Sequence, residues 1–259
     1  FKPNMIEVKN IIKTFDGVPA LQDISAVFET GKVNMIIGQS GSGKTVLMKC
    51  IIGLHQIDSG CIEYDGRNLP KMKPHEIHML RREVGMLFQG AALFDSMTVL
   101  ENVMYPLEMF SYESKKEIKD RAYFCLSRVN LEERSFDLYP SEISGGMQKR
   151  VGIARAIALR PKYLFCDEPN SGLDPVTSMI IDDLIYEITH EFNITTIINS
   201  HDMNSVMEIG EKIIYIEKGV KAWEGTKDEI FDAENESFNN FVFASKLFKQ
   251  LKMLKQNPY

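Results

Sequence analysis

The amino-acid sequence predicts an α/β fold with a mostly parallel sheet at its core. Three observations carry this reading. Short apolar runs at residues 33–37, 84–89, 163–168 and 194–199 have the length and composition of buried strands. Stretches with helical periodicity follow them, so strand and helix alternate along the chain. A glycine-rich stretch, Gly38-Gln39-Ser40-Gly41-Ser42-Gly43-Lys44-Thr45, stands between the first of these strands and its helix. Strands that send their C-terminal ends toward one such loop imply a ligand at that edge of the sheet.

The elements can be taken in order. Residues 5–28 alternate apolar and polar positions (Ile6, Val8, then Ile24, Ala26, Phe28) and read as two or three antiparallel strands. Lys13 to Gly17 reads as a turn-like segment. Its Phe15 is either an ordinary core or turn aromatic or a surface on which an adenine ring stacks. The stretch from Gly38 to Thr45 has the G-x-x-x-x-G-K-[ST] spacing of a phosphate-binding loop, in the strand–loop–helix setting that motif requires. Glycines let backbone N–H groups turn inward around phosphate oxygens, and the helix start adds the positive end of its dipole. Lys44 is placed to reach the β- and γ-phosphates of ATP, and Thr45 to offer a hydroxyl to Mg²⁺.

Beyond the loop helix, residues 58–66 read as a turn, a strand and a second turn, and residues 71–82 as a polar helix whose His75 and His78 lie on a solvated face. Gln89 ends the strand at 84–89. Residues 99–110 form an apolar-rich helix or turn. Residues 115–129 form an amphipathic helix with Ile118, Ala122, Cys125, Leu126 and Val129 on one side. Ser144-Gly145-Gly146 precedes a helix over 149–159, and a helix start of this kind is a second candidate anion site. The strand at 163–168 delivers Asp167 and Glu168 together. Such a pair suits metal and base chemistry: Asp167 for the shell of Mg²⁺, Glu168 to polarise an attacking water. Residues 170–175 form a turn before a helix through His190, and the strand at 194–199 leads to His201. Residues 211–218 and 220–225 read as a closing strand pair, and 226–259 as helical and increasingly basic.

Composition narrows the function classes. The net charge of −6 argues against a broad nucleic-acid surface. No apolar stretch approaches the length of a membrane span, and no secretory signal pattern opens the chain. Cys50, Cys61, Cys125 and Cys166 are scattered without a C-x-x-C pair and read as reduced cytosolic thiols, mostly packed.

The order of motifs (phosphate loop, Gln89, Ser144-Gly145-Gly146, Asp167-Glu168, Asp174, His201) resembles the ATPase subunits of ABC transporters over nearly the whole chain. The resemblance implies a P-loop NTPase ABC ATPase fold: a mostly parallel sheet core, an antiparallel β subdomain and an α-helical signature subdomain. It also implies roles. Phe15 stacks on adenine, Gln89 senses Mg²⁺ and the membrane partner, and Glu168 is the general base. Asp174 belongs to the loop between two ATP sites, and His201 is the γ-phosphate switch. Ser144, Gly145 and Gly146 complete the ATP site of the opposite subunit in a head-to-tail homodimer. Catalysis then rests on Glu168, His201 and Gln89, and Mg²⁺ on Thr45, Gln89 and Asp167. The signature departs from the commonest form in having Met147 before Gln148, and Asn170 and Asn199 also differ, with no catalytic group removed.

A narrower resemblance lies in residues 87–99 and 101–107, supported by residues 144–147 and 154–159. These are similar to MlaF-type ATPases of MCE/Mla phospholipid transport systems. That implies lipid transport through integral membrane permease subunits, with an MCE-type lipid-binding protein and a small regulatory subunit as further partners, no nucleic acid, and a cytoplasmic position on the inner face of the cell membrane. The alternatives are another ABC system, such as an amino-acid importer or lipoprotein exporter, and a non-transport ABC switch acting on DNA or ribosomes. The expected organisation is an ATPase domain over residues 5–240, with its helical subdomain at 90–160, and a basic amphipathic tail over 241–259. In that tail Ala244, Leu247, Phe248, Leu251 and Leu254 form an apolar stripe. Docking on a partner or second subunit ranks ahead of packing on the chain's own core, and lipid binding comes third.

Overall fold

The computed structural model describes residues 5–244, 248–250 and 252–253. They fall into two compact units. One comprises Thr30–Lys32 and Lys71–Ile198. The other comprises Met5–Glu29, Val33–Pro70 and the described residues from Asn199 onward.

In the second unit an antiparallel sheet has the order β2-β1-β4-β5, with β1 at Ile6–Phe15, β2 at Val18–Phe28, β4 at Ser59–Tyr64 and β5 at Arg67–Asn68. β1 and β2 are joined by Asp16-Gly17, both left-handed at φ 48° and 80°. That is the two-residue geometry whose twist matches the strands it connects. Asp65-Gly66 closes β4 onto β5 in the same way, at φ 51° and 78°. Ile6, Val8 and Ile11 of β1 point inward while their neighbours face out, the alternation expected of a half-buried sheet. The turn predicted at 13–17 is shorter than expected: Lys13, Thr14 and Phe15 belong to β1, paired with Leu21, Pro19 and Val18.

The same unit carries β3 (Val33–Ile37), α1 (Lys44–Ile52), α7 (Met203–Ile209), β9 (Lys212–Glu217), β10 (Val220–Gly225) and α8 (Glu236–Val242). β3 is buried at all five positions and runs parallel to β9; β10 returns antiparallel. The domain boundary expected after residue 240 falls inside α8. Phe238, Val242, Phe243 and Phe248 are buried, and the Phe238 ring stacks on Trp223 at 4.2 Å. Among the described residues of the tail, aromatic side chains from β9 and β10 give Phe238 and Phe241 a surface within their own unit, which favours own-core packing over the docking that ranked first. Leu247, Leu251 and Leu254 lie outside the described residues.

The first unit contains α2 (Pro74–Arg82), β6 (Val84–Leu87), α3 (Val99–Phe110), α4 (Lys115–Arg128), α5 (Gly145–Ile157), β7 (Tyr163–Asp167), α6 (Pro175–Glu191) and the start of β8 (Thr195–Ser200). β6 and β7 are parallel neighbours, and β8 lies beyond β7. Helix starts follow from the sequence. Thr98 with Glu101 and Ser114 with Glu117 form capping boxes for α3 and α4, and Asp174 caps α6 with Pro175 at its first position. The helix expected over 149–159 begins earlier, at Gly145, because Ser144 supplies the cap. Cys50, Cys125 and Cys166 are buried free thiols, and Cys61 is partly covered. Among the described residues no helix is long and apolar enough to cross a membrane.

Candidate functional site

The phosphate loop is shaped by where β3 stops and what surrounds it. Gly38 has φ 151°, and a Cβ there would lie 2.3 Å from the Ile216 carbonyl oxygen and 2.7 Å from Ser42 Oγ. Gly43 (φ 110°) caps α1, and a Cβ would lie 2.9 Å from the Ala20 carbonyl oxygen. No other residue fits these two positions without moving backbone. Lys44 is 6% exposed and curls back over its own loop, where its Nζ donates to the carbonyls of Gly38 (2.8 Å) and Gln39 (3.0 Å). Ser42 Oγ is buried with no hydrogen-bond partner among the described residues. A buried hydroxyl left so is costly unless a ligand oxygen completes it. The loop borders a cavity of about 430 Å³ lined also by Ala20, Gln22, Thr45 and Lys218. Lys44, Lys218 and the start of α1 border this cavity, a lining whose charge suits an anion with several oxygens.

Two further expected residues belong to this unit. Phe15 ends β1 with 40% of its surface exposed. His55 meets its ring edge-on at 5.3 Å, and Lys13 Nζ stands 5.1 Å from the ring centroid while bonded to Asp58. The Lys13 hydrogen bond holds the Asp58 carboxyl below the usual carboxylate range. His201 follows β8, exposed, one residue before Asp202 caps α7.

In the first unit β7 is buried from Tyr163 to Cys166 and ends at Asp167. Glu168 then adopts φ 48°, a left-handed course unfavourable for a side chain with a Cβ, and its carbonyl accepts from Ser171 N–H to close the turn. Strain of this kind is held at functional positions when the surroundings over-determine it. Asn170 Nδ2 donates to Asp182 Oδ1 at 2.9 Å, tying the turn to α6. Gln89 Nε2 donates to Ser171 Oγ at 3.0 Å, which ties the end of β6 to the turn that follows Glu168.

The Ser-Gly-Gly segment forms its own site within that unit. Ser144 Oγ accepts from Met147 N–H, and Gly145 and Gly146 make the first turn of α5. A Cβ on Gly146 would meet Thr177 Cγ2 at 2.6 Å. With Arg150, Gly172, Leu173, Asp174 and Thr177 they border a cavity of about 330 Å³. The Asp174 carboxylate is engaged by its own helix: Oδ1 accepts from Thr177 N–H at 3.0 Å and Oδ2 from the Thr177 hydroxyl, which lowers its pKa. Two residues that periodicity did not single out matter here. Lys149 is 5% exposed and donates to the Gln89 carbonyl; burial lowers its pKa, with Cys166 and Glu168 opposing. Asn102 is fully buried and donates to the carbonyls of Phe94, Met97 and Thr98, fixing the loop before α3. A lysine or asparagine in a helical pattern carries no sign of burial in its letter alone.

The loop, the strand-end carboxylates and the capped glycine pair set the frame for comparison with known proteins. The family model described as ABC transporter matches residues 21–171. The chain belongs to the ABC transporter family. It is 41% identical over 231 residues to the methionine import ATP-binding protein MetN of Haemophilus influenzae (strain 86-028NP), covering 88% of this chain and 66% of that protein. The methionine import ATP-binding protein MetN of Clostridioides difficile (strain 630) is 38% identical over 227 residues, covering 88% of this chain and 70% of its own length. The chain therefore spans about two thirds of the length of these ABC relatives. The dimeric post-hydrolysis structure of the ATP-binding cassette MJ0796 bound to ADP and Pi is similar with a TM-score of 0.79 and 32% identity, covering 86% of this chain and 98% of that one. The structure of cbiO1 from Clostridium perfringens, part of the ABC transporter complex cbiONQ, gives a TM-score of 0.83 at 27% identity, over 98% of this chain and 100% of that one. The ABC ATPase fold, α/β with an antiparallel β subdomain, is as the sequence led us to expect. These relatives are named for methionine import, so the narrower resemblance to MlaF-type ATPases gains no support from them.

Proposed function

We propose that the chain binds ATP with Mg²⁺, hydrolyses it, and so energises transport through integral membrane permease subunits from the cytoplasmic face of the membrane. The observation that carries this is the phosphate loop, with Lys44 folded over it and Ser42 Oγ unsatisfied inside it, in a chain of this family. Residues Gly38 to Thr45 hold and orient the phosphates, and Phe15 stacks on the base. Thr45, Gln89 and Asp167 are the hard oxygen donors Mg²⁺ takes, and they are the residues that would hold it. The ion, when bound, draws charge from the transferring phosphoryl group. Glu168 accepts the proton of the attacking water, and His201 orients the γ-phosphate. Ser144, Gly145 and Gly146, with Asp174, serve the nucleotide of a second copy in a head-to-tail pair. The pairing is supported by the dimeric state in which MJ0796 was solved.

For the cargo, amino-acid import is the reading the relatives favour, since two MetN proteins are 38–41% identical over most of this chain. Phospholipid transport is the second reading, carried by the Mla-like run at 87–99 and 101–107. Purifying the assembled transporter from membranes through this chain tests both. An amino-acid importer predicts a co-purified permease and Mg-ATP turnover that responds to a cognate amino-acid-binding protein. A lipid system predicts an MCE-type protein and a small regulatory subunit instead. A chain that binds no ATP would contradict the proposal in either form.

A further inference from the structure

We propose that Lys149 and Arg155 of α5 are positioning residues that clamp the backbone of residues 89–92 and thereby fix the point from which Gln89 acts. The inference rests on the role given to Gln89 above. After β6 the chain passes through Ala91 and Ala92, both left-handed at φ 59° and 48°. Neither is a glycine or asparagine, so the course is unfavourable at two successive positions and needs support from outside. Three carbonyls of this segment are taken by cations on α5. Lys149 Nζ donates to the Gln89 carbonyl, while the Arg155 guanidinium donates to Ala91 (2.6 Å) and Ala92 (2.7 Å). Between them lies Gly152, where a Cβ would sit 2.7 Å from Leu87 Cδ1 and 3.4 Å from Ala91 Cβ. Positions 149, 152 and 155 therefore make one face of α5, cation, gap, cation, pressed on the segment.

Packing alone does not ask for this arrangement. A lysine 5% exposed with a carbonyl as acceptor is a costly choice where an apolar side chain of similar length would fill the space. What the cations add is direction: charge-assisted bonds are stronger and hold each carbonyl in one orientation. The same helix opens at Ser144, so the clamp makes the segment carrying Gln89 and the Ser-Gly-Gly helix a single body.

The test uses the purified chain and two readouts. Hydrogen exchange is followed without nucleotide, and kcat and KM for ATP are measured with Mg²⁺. Lys149→Met removes one charge-assisted bond, so exchange of the Ala91 amide, which donates to Phe88, rises by about tenfold or more. Exchange in β7 stays at the parent level, kcat falls by a similar factor, KM holds, and Lys149→Arg restores both. Arg155→Lys keeps the charge but cannot span two carbonyls, and gives a smaller shift of the same kind should Lys149→Met not fold. Unchanged exchange in these variants, or faster exchange with parent kcat, overturns the proposal. A parent chain without ATP turnover overturns the functional reading instead, and leaves the exchange result to stand by itself.

Discussion

Lys44 shows how one residue type at one spacing points to a role. Its ammonium is buried against two carbonyls of the loop it must serve, so it is held above the concavity before any ligand arrives. Such preorganisation spares the ordering cost on binding. Lys44→Ala removes a charge-assisted contact to phosphate, and ATP affinity measured by equilibrium titration should fall about ten- to a hundredfold. This residue was legible in the sequence because the chemistry fixes both its type and its distance from Gly38 and Gly43. Lys149 was not, since its burial depends on what packs on α5. Asp174 was legible in position only: Thr177, three residues on, occupies its carboxylate. Phe15 was legible as a candidate, but its place at the end of β1 rather than in a loop follows from the left-handed Asp16-Gly17 pair.

At the scale of elements, strands were legible wherever short apolar runs ended at polar residues or Gly, as for β3, β6 and β7, whereas their order in the sheet was not read from the sequence. The end of the chain was not. Its amphipathic pattern suits a partner surface and an internal one equally, and for the described residues the positions of Trp223 and Tyr215 favour the internal one. Phe238 lies against both rings, at 4.2 Å and 5.3 Å. Among the described residues, truncation after Asn235 deletes the buried apolar side chains of Phe238, Val242, Phe243 and Phe248. At about 1.5–3 kcal/mol each this is comparable to the whole stability of a domain. The thermal midpoint of the truncated chain should drop by about 10 °C or more. A change within about 2 °C would return the tail to the role of a docking segment. The loop before α3 behaves differently. Phe94 is 40% exposed, its ring meets Tyr105 at 4.8 Å, and its backbone is held by Asn102. Phe94→Ser should therefore leave the midpoint within about 3 °C of the parent, a surface-like cost. In the assembled transporter it should lower transport-coupled ATP turnover while ATP binding by the chain is kept. Unfolding of the isolated variant would make Phe94 a packing residue.

For the molecule as a whole, the account divides the work. In the proposed function, residues 38–45 hold phosphate, Gln89 with Asp167 and Glu168 supply metal and base chemistry, and Ser144 to Gly146 address a second copy. The central claim is that Glu168 is the base of an ATP hydrolysis step. Glu168 follows the end of β7 with a left-handed backbone, and the neutral amide of a glutamine at this position cannot act as the base that a carboxylate can. The direct measurement is steady-state Mg-ATP turnover and ATP affinity of the purified chain with and without Glu168→Gln. The predicted result is turnover slowed by about a hundredfold or more with ATP binding retained, and a longer-lived ATP-bound dimer. A Glu168→Gln chain that hydrolyses ATP at the parent rate would contradict the assignment.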